Sequence, residues 1–99
     1  MKSKIYIIPG LGENCSLIRY KTLGETLKSK GYNVVYINPN WYKTLSEQVF
    51  FVGKNSIICG FSFGGVLAYL IAKKYFPNQF EVIVADRKEA QCEYTSQAG

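Results

Sequence analysis

The sequence contains no histidine among its 99 residues. Histidine is the usual general base near neutral pH and the commonest metal ligand. Its absence excludes a complete Ser-His-Asp or Cys-His catalytic apparatus within these residues and argues against a metal site. We therefore predict no metal and no cofactor.

Cysteines are few, and long hydrophobic runs are missing. Cys15, Cys59 and Cys92 form no CxxC pair, and their number is odd, which favours reduced thiols over a disulfide framework or a zinc site.

The first apolar run, Ile5–Ile8, ends at Pro9 and is too short for the core of a signal peptide. No run approaches the roughly 18 apolar residues that span a bilayer. We expect a soluble, cytoplasmic protein without a membrane partner.

Acidic residues are scarce as well. Seven Asp and Glu face twelve Lys and Arg, giving a net charge of +5 and an isoelectric point near 9.2. The basic residues are scattered and no aromatic RNA-binding signature accompanies them, so we expect a solvated basic surface rather than a nucleic-acid site. Apolar residues make up 47% of the sequence, which indicates one small globular domain with any site near its surface.

Short apolar runs alternate with segments of helical periodicity. Because such strands are buried on both faces and helix-length segments join them, the pattern predicts a parallel sheet in three layers, with helices on both faces. We predict about four strands in the spatial order second, first, third, fourth, within a domain of residues 1–86. Residues 87–99 read as a polar tail without a strand. The predicted strands are 4–8, 33–37, 56–59 and 80–85.

Helix signals punctuate the connections between these strands. Ser16 is a plausible N-cap and Gly31 a plausible C-cap for the first helix. Thr44 and Glu47 have the spacing of a capping box, which predicts a short helix that continues through residue 51. The third helix spans 65–75 and is largely apolar around its circumference.

The third strand leads into a GxSxG element, Gly60-Phe61-Ser62-Phe63-Gly64-Gly65. A serine on a sharp strand-to-helix turn is strained, and Gly60 and Gly64 would let the two backbones pass closely. The turn would expose the Ser62 hydroxyl at the carboxyl edge of the sheet. It would also place the Phe63 amide at the helix N-terminus, where it can stabilise an oxyanion. An ordinary glycine-rich turn is the alternative.

The loop after the first strand, Pro9–Gly12, supplies a second candidate donor in the Leu11 amide. A dinucleotide-binding fingerprint competes with this interpretation. Cys15 stands where its third glycine belongs, however, and Asn38 ends the second strand where an acidic ribose ligand is expected. Neither glycine loop continues as a P-loop.

These stretches resemble the central part of an α/β-hydrolase, and the resemblance covers residues 4 to about 86. The strand KIYIIPGLGE, the segment NVVYINPNW, the elbow SIICGFSFGGVLAYLIAKKY and the strand FEVIVAD carry it. It implies hydrolysis of esters, thioesters, amides or related bonds through an acyl-enzyme, without a metal. It implies these roles: Ser62 as nucleophile, Leu11 and Phe63 as oxyanion-hole amides, and Gly60, Gly64 and Gly65 as the elbow.

The sequence also departs from that family. The family's triad continues with an acid and then a histidine, and no histidine is present here. Asp86 stands where some members place the acid, and it is equally an ordinary strand-end residue. Lys43 and Lys88 lie in loops at the same edge, but a lysine base needs burial to lower its pKa.

Other side chains near the expected site admit two interpretations. Cys15 and Cys59 flank it without a paired base, so we read them as small buried residues. Trp41 and Tyr42 follow the second strand and would either wall an acyl pocket or simply pack.

We therefore expect a shortened relative of the serine acyl hydrolases, weak or inactive as it stands. Its partners would be a small acyl substrate or ligand and, through the edge of the fourth strand, a second copy of the chain. Two alternatives stay open. One is a non-catalytic binding or regulatory module for a carboxylate or acyl ligand, and the other is a flavodoxin-like nucleotide-binding domain.

Overall fold

A computed structural model describes residues 3–53, 56–75, 80–82 and 94–96. Its strands are β1 (Lys4–Ile8), β2 (Asn33–Tyr36), β3 (Ser56–Gly60), β4 (Phe80–Val82) and β5 (Tyr94–Ser96). Its helices are α1 (Ile18–Ser29) and α2 (Gly64–Tyr75), and a 3-10 turn covers Leu45–Gln48. No helix within these ranges is long and apolar enough to cross a membrane.

The first three strands form a parallel sheet in the order β2-β1-β3. Lys4 of β1 lies opposite Asn33 of β2 and Ser56 of β3, so the strands begin level, and Ile8 lies opposite Gly60 at the carboxyl edge. The α/β class, the parallel pairing and the order second, first, third are confirmed. Apolar runs predict these strands because a central parallel strand is covered on both faces.

Helices cover both faces of this sheet, as the alternation along β1 requires. Ile5 and Ile7 pack in one cluster with Tyr20 of α1. The intervening β1 residues pack on the other face, against the buried side of α2, including Leu67 and Ile71. The prediction of helices on both faces is confirmed for this three-stranded sheet.

The fourth parallel strand is not observed among the described residues. Phe80–Val82 pairs antiparallel with Tyr94–Ser96, and the two form a separate two-stranded sheet. The prediction of a tail without a strand is wrong for residues 94–96. Tyr and Thr favour strands, and pairing satisfies backbone groups that an open edge would leave free. The remainder of the predicted strand, residues 83–85, lies outside the described ranges. Self-association through this edge stays a prediction, and the β4–β5 pairing removes part of its physical reason.

Two predicted side-chain caps are not formed, and one of the two helix starts is displaced by one residue. Leu17 rather than Ser16 precedes α1 and provides no side-chain cap, while the Ser16 hydroxyl is bonded to the side chain of Asn14. The Thr44 side chain makes no capping bond either, and Leu45–Gln48 is a single 3-10 turn instead of a helix through residue 51. Ser16 lies one residue before the N-cap position of α1. Thr44 does occupy the N-cap position of its turn, but its side chain makes no bond there, so the right spacing does not by itself form a cap.

The predicted end of α1 is confirmed. Gly31 has φ +96°, a left-handed value that glycine adopts without a steric penalty. Its N–H donates to the Lys28 carbonyl at 2.9 Å, and the Tyr32 N–H donates to the Leu27 carbonyl at 3.2 Å. This pair of bonds is a Schellman motif, which satisfies the last carbonyls of the helix and turns the chain into β2.

Tyr36 provides a stability test. Its hydroxyl is buried without a hydrogen-bond partner in the described part of the chain, and it lies over Gly24, where a Cβ would be 1.9 Å away. Tyr36→Phe removes a desolvated, unpaired hydroxyl while keeping the ring. We expect the free energy of unfolding to stay equal or to rise by about 1 kcal/mol. Urea unfolding measures it, and a loss of about 1 kcal/mol or more would show that the hydroxyl has a partner.

Candidate active site

Ser62 lies at the turn between β3 and α2. Its φ is +52°, the only positive φ of a non-glycine residue in the described ranges. A left-handed backbone costs an L-residue roughly 1–2 kcal/mol, and such strain concentrates at functional sites. The side chain is half-buried, and its hydroxyl has no hydrogen-bond partner among the described residues. The turn therefore presents an unengaged hydroxyl in a strained conformation.

Two glycines make this turn possible. A Cβ on Gly60 would lie 2.6 Å from the Gly64 carbonyl oxygen, and one on Gly64 would lie 2.2 Å from that of Pro9. Real Cβ atoms do not approach backbone so closely, so both positions require glycine. Gly65 differs, because its Cβ would meet the Gly60 carbonyl oxygen at 3.8 Å, an ordinary contact. The Gly65 backbone does lie in the close crossing, because a Cβ on Gly60 would be 2.6 Å from the Gly65 Cα, but position 65 does not itself require glycine.

The loop after β1 is a closed turn. The Glu13 N–H donates to the Gly10 carbonyl at 3.0 Å, which makes Gly10 and Glu13 the ends of a four-residue turn. Gly12 has φ +75°, the left-handed value that the third position of a type II turn requires. Leu11 occupies the second position, and its side chain is exposed.

This loop lies against the elbow. The Phe61 N–H donates to the Ile8 carbonyl at 3.0 Å, and a Cβ on Gly10 would lie 3.6 Å from the Phe61 carbonyl oxygen. Neither the Leu11 nor the Phe63 amide donates a hydrogen bond within the described part of the chain. Two N–H groups without partners in the described part of the chain, those of Leu11 and Phe63, therefore lie on two backbone segments that contact each other, and Phe63 directly follows Ser62.

A network of three side chains holds this loop: Glu13, Arg19 and Tyr20. The sequence patterns did not identify them as functional residues. The Tyr20 hydroxyl donates to Glu13 Oε1 at 2.6 Å and accepts from the Gly10 N–H at 3.0 Å. The Gly10 N–H also reaches Glu13 Oε1, at 3.2 Å. Arg19 donates to Glu13 Oε2 and, at 3.2 Å, to the Tyr20 hydroxyl. A glutamate three residues after a loop glycine is the only signal that points to this network.

The network fixes the charge of its members. Burial raises the pKa of Glu13, but hydrogen bonds from Tyr20 and Arg19, the charge of Arg19 and the Gly10 N–H together lower it below its ordinary value. Burial and the hydrogen bond to Glu13 raise the pKa of Tyr20. Bonds to Tyr20 and Glu13 raise the pKa of Arg19. At neutral pH the loop is thus held by a carboxylate, a neutral phenol and a guanidinium.

The loop after β2 reaches the site through Trp41. Its Nε1–H donates to the Glu13 carbonyl at 2.9 Å, and its ring lies 6.2 Å from that of Phe63, centroid to centroid. Trp41 therefore bridges the first loop and the elbow. Tyr42 is fully exposed and walls nothing in the described structure. Lys43 is exposed too, so it lacks the burial that a lysine base needs.

Cys15 is a packed, unreactive thiol. It is buried, its Sγ donates to the Ile37 carbonyl at 3.3 Å, and burial raises its pKa to about 11. Its N–H donates to Asn38 Oδ1 at 2.7 Å, so Asn38 ties the two loops together. Cys59 is buried and disulfide-bonded, and the expectation of a reduced thiol is wrong there.

The remaining predicted groups, Asp86, Lys88 and Cys92, lie outside the described residues.

Comparisons of the chain with protein-family models, curated proteins and solved structures found no match.

Proposed function

We propose that the chain performs serine-dependent acyl chemistry at Ser62, in the manner of the α/β-hydrolases that its elbow resembles. One observation carries the proposal: Ser62 alone among the described non-glycine residues has a left-handed backbone, at a turn where Gly60 and Gly64 permit backbone contacts that no Cβ allows. Strain of this kind persists only where the surrounding structure enforces it.

The proposed reaction is acyl transfer to the Ser62 hydroxyl. Its oxygen attacks the carbonyl carbon of an ester, and its proton passes to water because no histidine is present. The Leu11 and Phe63 amides donate to the oxygen that becomes negative. The bond from the acyl carbon to the ester oxygen then breaks, and the alkoxide leaves with the electron pair and takes a proton from water to become the alcohol. Water afterwards hydrolyses the acyl-serine and regenerates the hydroxyl.

We expect this chain to turn over its substrate slowly. An unassisted serine hydroxyl is a weak nucleophile at neutral pH. Serine hydrolases stripped of their triads retain only about 10³–10⁴ over water, from the oxyanion hole and substrate binding. We expect esterase activity at or below that level.

The surroundings of Ser62 favour an apolar acyl group. Leu11 is 60% exposed and Phe63 45% exposed, and Trp41 lies beside the Phe63 ring. These apolar side chains border the two candidate donor amides. The proposed substrate is an ester or thioester with an apolar acyl chain.

A binding module is the second candidate function. Unpaired amides at Leu11 and Phe63 would bind a carboxylate as well as they bind an oxyanion, and the net charge of +5 favours anionic ligands. The missing histidine favours this candidate. Binding of an aliphatic carboxylate without any acyl transfer distinguishes it from an enzyme.

Acylation by p-nitrophenyl butyrate tests the proposal. We expect peptide mass spectrometry to find the butyryl group on Ser62 in preference to other seryl hydroxyls, with matching release of p-nitrophenolate. Ser62→Ala should abolish that part of the release. Ser46→Ala, at an exposed serine of the 3-10 turn, is the matched control and should change nothing. Equal labelling of Ser46 and Ser62 would contradict the proposal.

A further inference from the structure

We propose that Tyr20 and Glu13 are positioning residues that hold the Gly10–Glu13 turn, and with it the Leu11 amide, at a fixed separation from the Ser62 elbow. The assignment deepens the proposed function and rests on it. Neither residue touches the reacting atoms in this scheme. Both act through the backbone of Gly10.

Tyr20 connects the two sides of the site. Its side chain is 1% exposed, and its hydroxyl accepts from the Gly10 N–H at 3.0 Å. Its ring meets that of Phe61 edge-on, with 5.3 Å between centroids. Phe61 directly precedes Ser62. One rigid side chain thus spans from the backbone before Leu11 to the residue before the nucleophile, so it sets the spacing between loop and elbow.

Glu13 closes the turn from the other end. Its own N–H donates to the Gly10 carbonyl at 3.0 Å, while its carboxylate accepts from the Gly10 N–H at 3.2 Å. Residues 10 and 13 are therefore linked in both directions, and Leu11 and Gly12 lie between the two links. A turn fixed at both ends keeps the Leu11 amide in place without using its hydrogen-bonding capacity.

Arg19 keeps the carboxylate in its ionised, bonded form. It donates to Glu13 Oε2, which leaves Oε1 for Tyr20 and Gly10. Its guanidinium also lies over the Tyr20 ring, 4.9 Å from the centroid. The side chain is partly exposed, so it contributes less than the buried phenol.

Tyr20→Phe in the full chain tests the positioning role. The ring stays and the hydroxyl is lost, so the contact with Phe61 is preserved. We expect hydrogen exchange of the Gly10 amide to accelerate at least tenfold, while amides of β1 and β3 keep their protection. Formation of butyryl-Ser62 from p-nitrophenyl butyrate should slow by about tenfold, in kcat rather than KM, because losing one oxyanion donor outright costs about 10²–10³.

Glu13→Ala should give the same pattern, and Glu13→Gln, which keeps an acceptor for Gly10 and Tyr20, should restore much of it. Tyr36→Phe is the matched control. It removes a buried phenolic hydroxyl that has no partner in the described structure, and it should leave both measurements unchanged.

The two hypotheses fail separately. If Ser62 of the unsubstituted chain is not acylated but the Gly10 amide responds to Tyr20→Phe, the proposed function is wrong and the loop-holding role stands. If Ser62 is acylated and Tyr20→Phe changes neither exchange at Gly10 nor the acylation rate, the positioning role is overturned. Uniform acceleration of exchange across the sheet would also overturn it, since that indicates general destabilisation.

Discussion

Gly64→Ala is expected to lower the free energy of unfolding by about 3 kcal/mol. A Cβ at this position would lie 2.2 Å from the Pro9 carbonyl oxygen and 2.8 Å from that of Ile8. Both obstacles are backbone, so relief requires the start of α2 to move away from the end of β1. Forcing extra atoms into a packed contact costs about 1–3 kcal/mol and sometimes more. Against a total of roughly 5–15 kcal/mol for a domain, this is a large fraction.

The neighbouring glycine provides the control. Gly65→Ala adds the same methyl group one residue later in α2, where the nearest contact is the Gly60 carbonyl oxygen at 3.8 Å. Alanine is a better helix former than glycine by up to about 1 kcal/mol, so this variant should be equally or more stable. Urea unfolding of both variants gives the comparison. Equal destabilisation would mean that the close approach at Gly64 is not what holds the elbow together.

The central sheet and its elbow could be predicted from local sequence because local signals decide them. Runs such as Ile5–Ile8 can only be covered on both faces, and parallel strands need helical crossovers. Glycines two residues before and two residues after Ser62 likewise predict a tight backbone crossing. The left-handed backbone of Ser62 agrees with that prediction. Its chemical role stays a proposal.

What escaped prediction depends on contacts between distant residues. Tyr20 looks like one more apolar position of α1, and only the folded chain brings its hydroxyl to Gly10. The pairing of Phe80–Val82 with Tyr94–Ser96 depends on which strand finds the edge, which composition does not encode. Ser16 and Thr44 failed as caps because spacing is necessary but not sufficient for the bond.

A serine nucleophile needs a general base, and no histidine is present to act as one. The elbow needs only backbone and glycine, and the first loop is fixed by Glu13, Tyr20 and Arg19, so both donor segments are built without a histidine. Nucleophile activation is a separate requirement, which neither segment meets. Under the proposed function, the two amides would stabilise charge on a substrate while Ser62 stays unactivated, and a better nucleophile at residue 62 should then reveal their contribution.

Ser62→Cys is expected to increase acylation by p-nitrophenyl butyrate by at least about 100-fold. A thiol near pKa 8.5 is a few per cent thiolate at pH 7 and is intrinsically very nucleophilic, whereas an unassisted seryl hydroxyl is almost entirely protonated. Just before the N-terminus of α2 the thiolate is further stabilised by the helix dipole. The rate should therefore rise with pH through an inflection below about 8.5. In an enzyme whose serine is already activated by a histidine, a serine-to-cysteine substitution brings no such gain, because the base is already present.

Burst release of p-nitrophenolate, with the thioester located by mass spectrometry, measures this effect. Ser46→Cys places an ordinary thiol on the exposed 3-10 turn and is the matched control for thiol reactivity without donor amides. Cys15 adds little background, because burial raises its pKa to about 11. Acylation of the Ser62→Cys thiol should exceed that of the Ser46→Cys thiol by at least about tenfold, the contribution expected from oxyanion stabilisation. Equal rates at the two positions would show that the Leu11 and Phe63 amides do not serve a reaction at residue 62. If the Ser62→Cys variant is acylated more slowly than the unsubstituted chain, a base that activates Ser62 must exist.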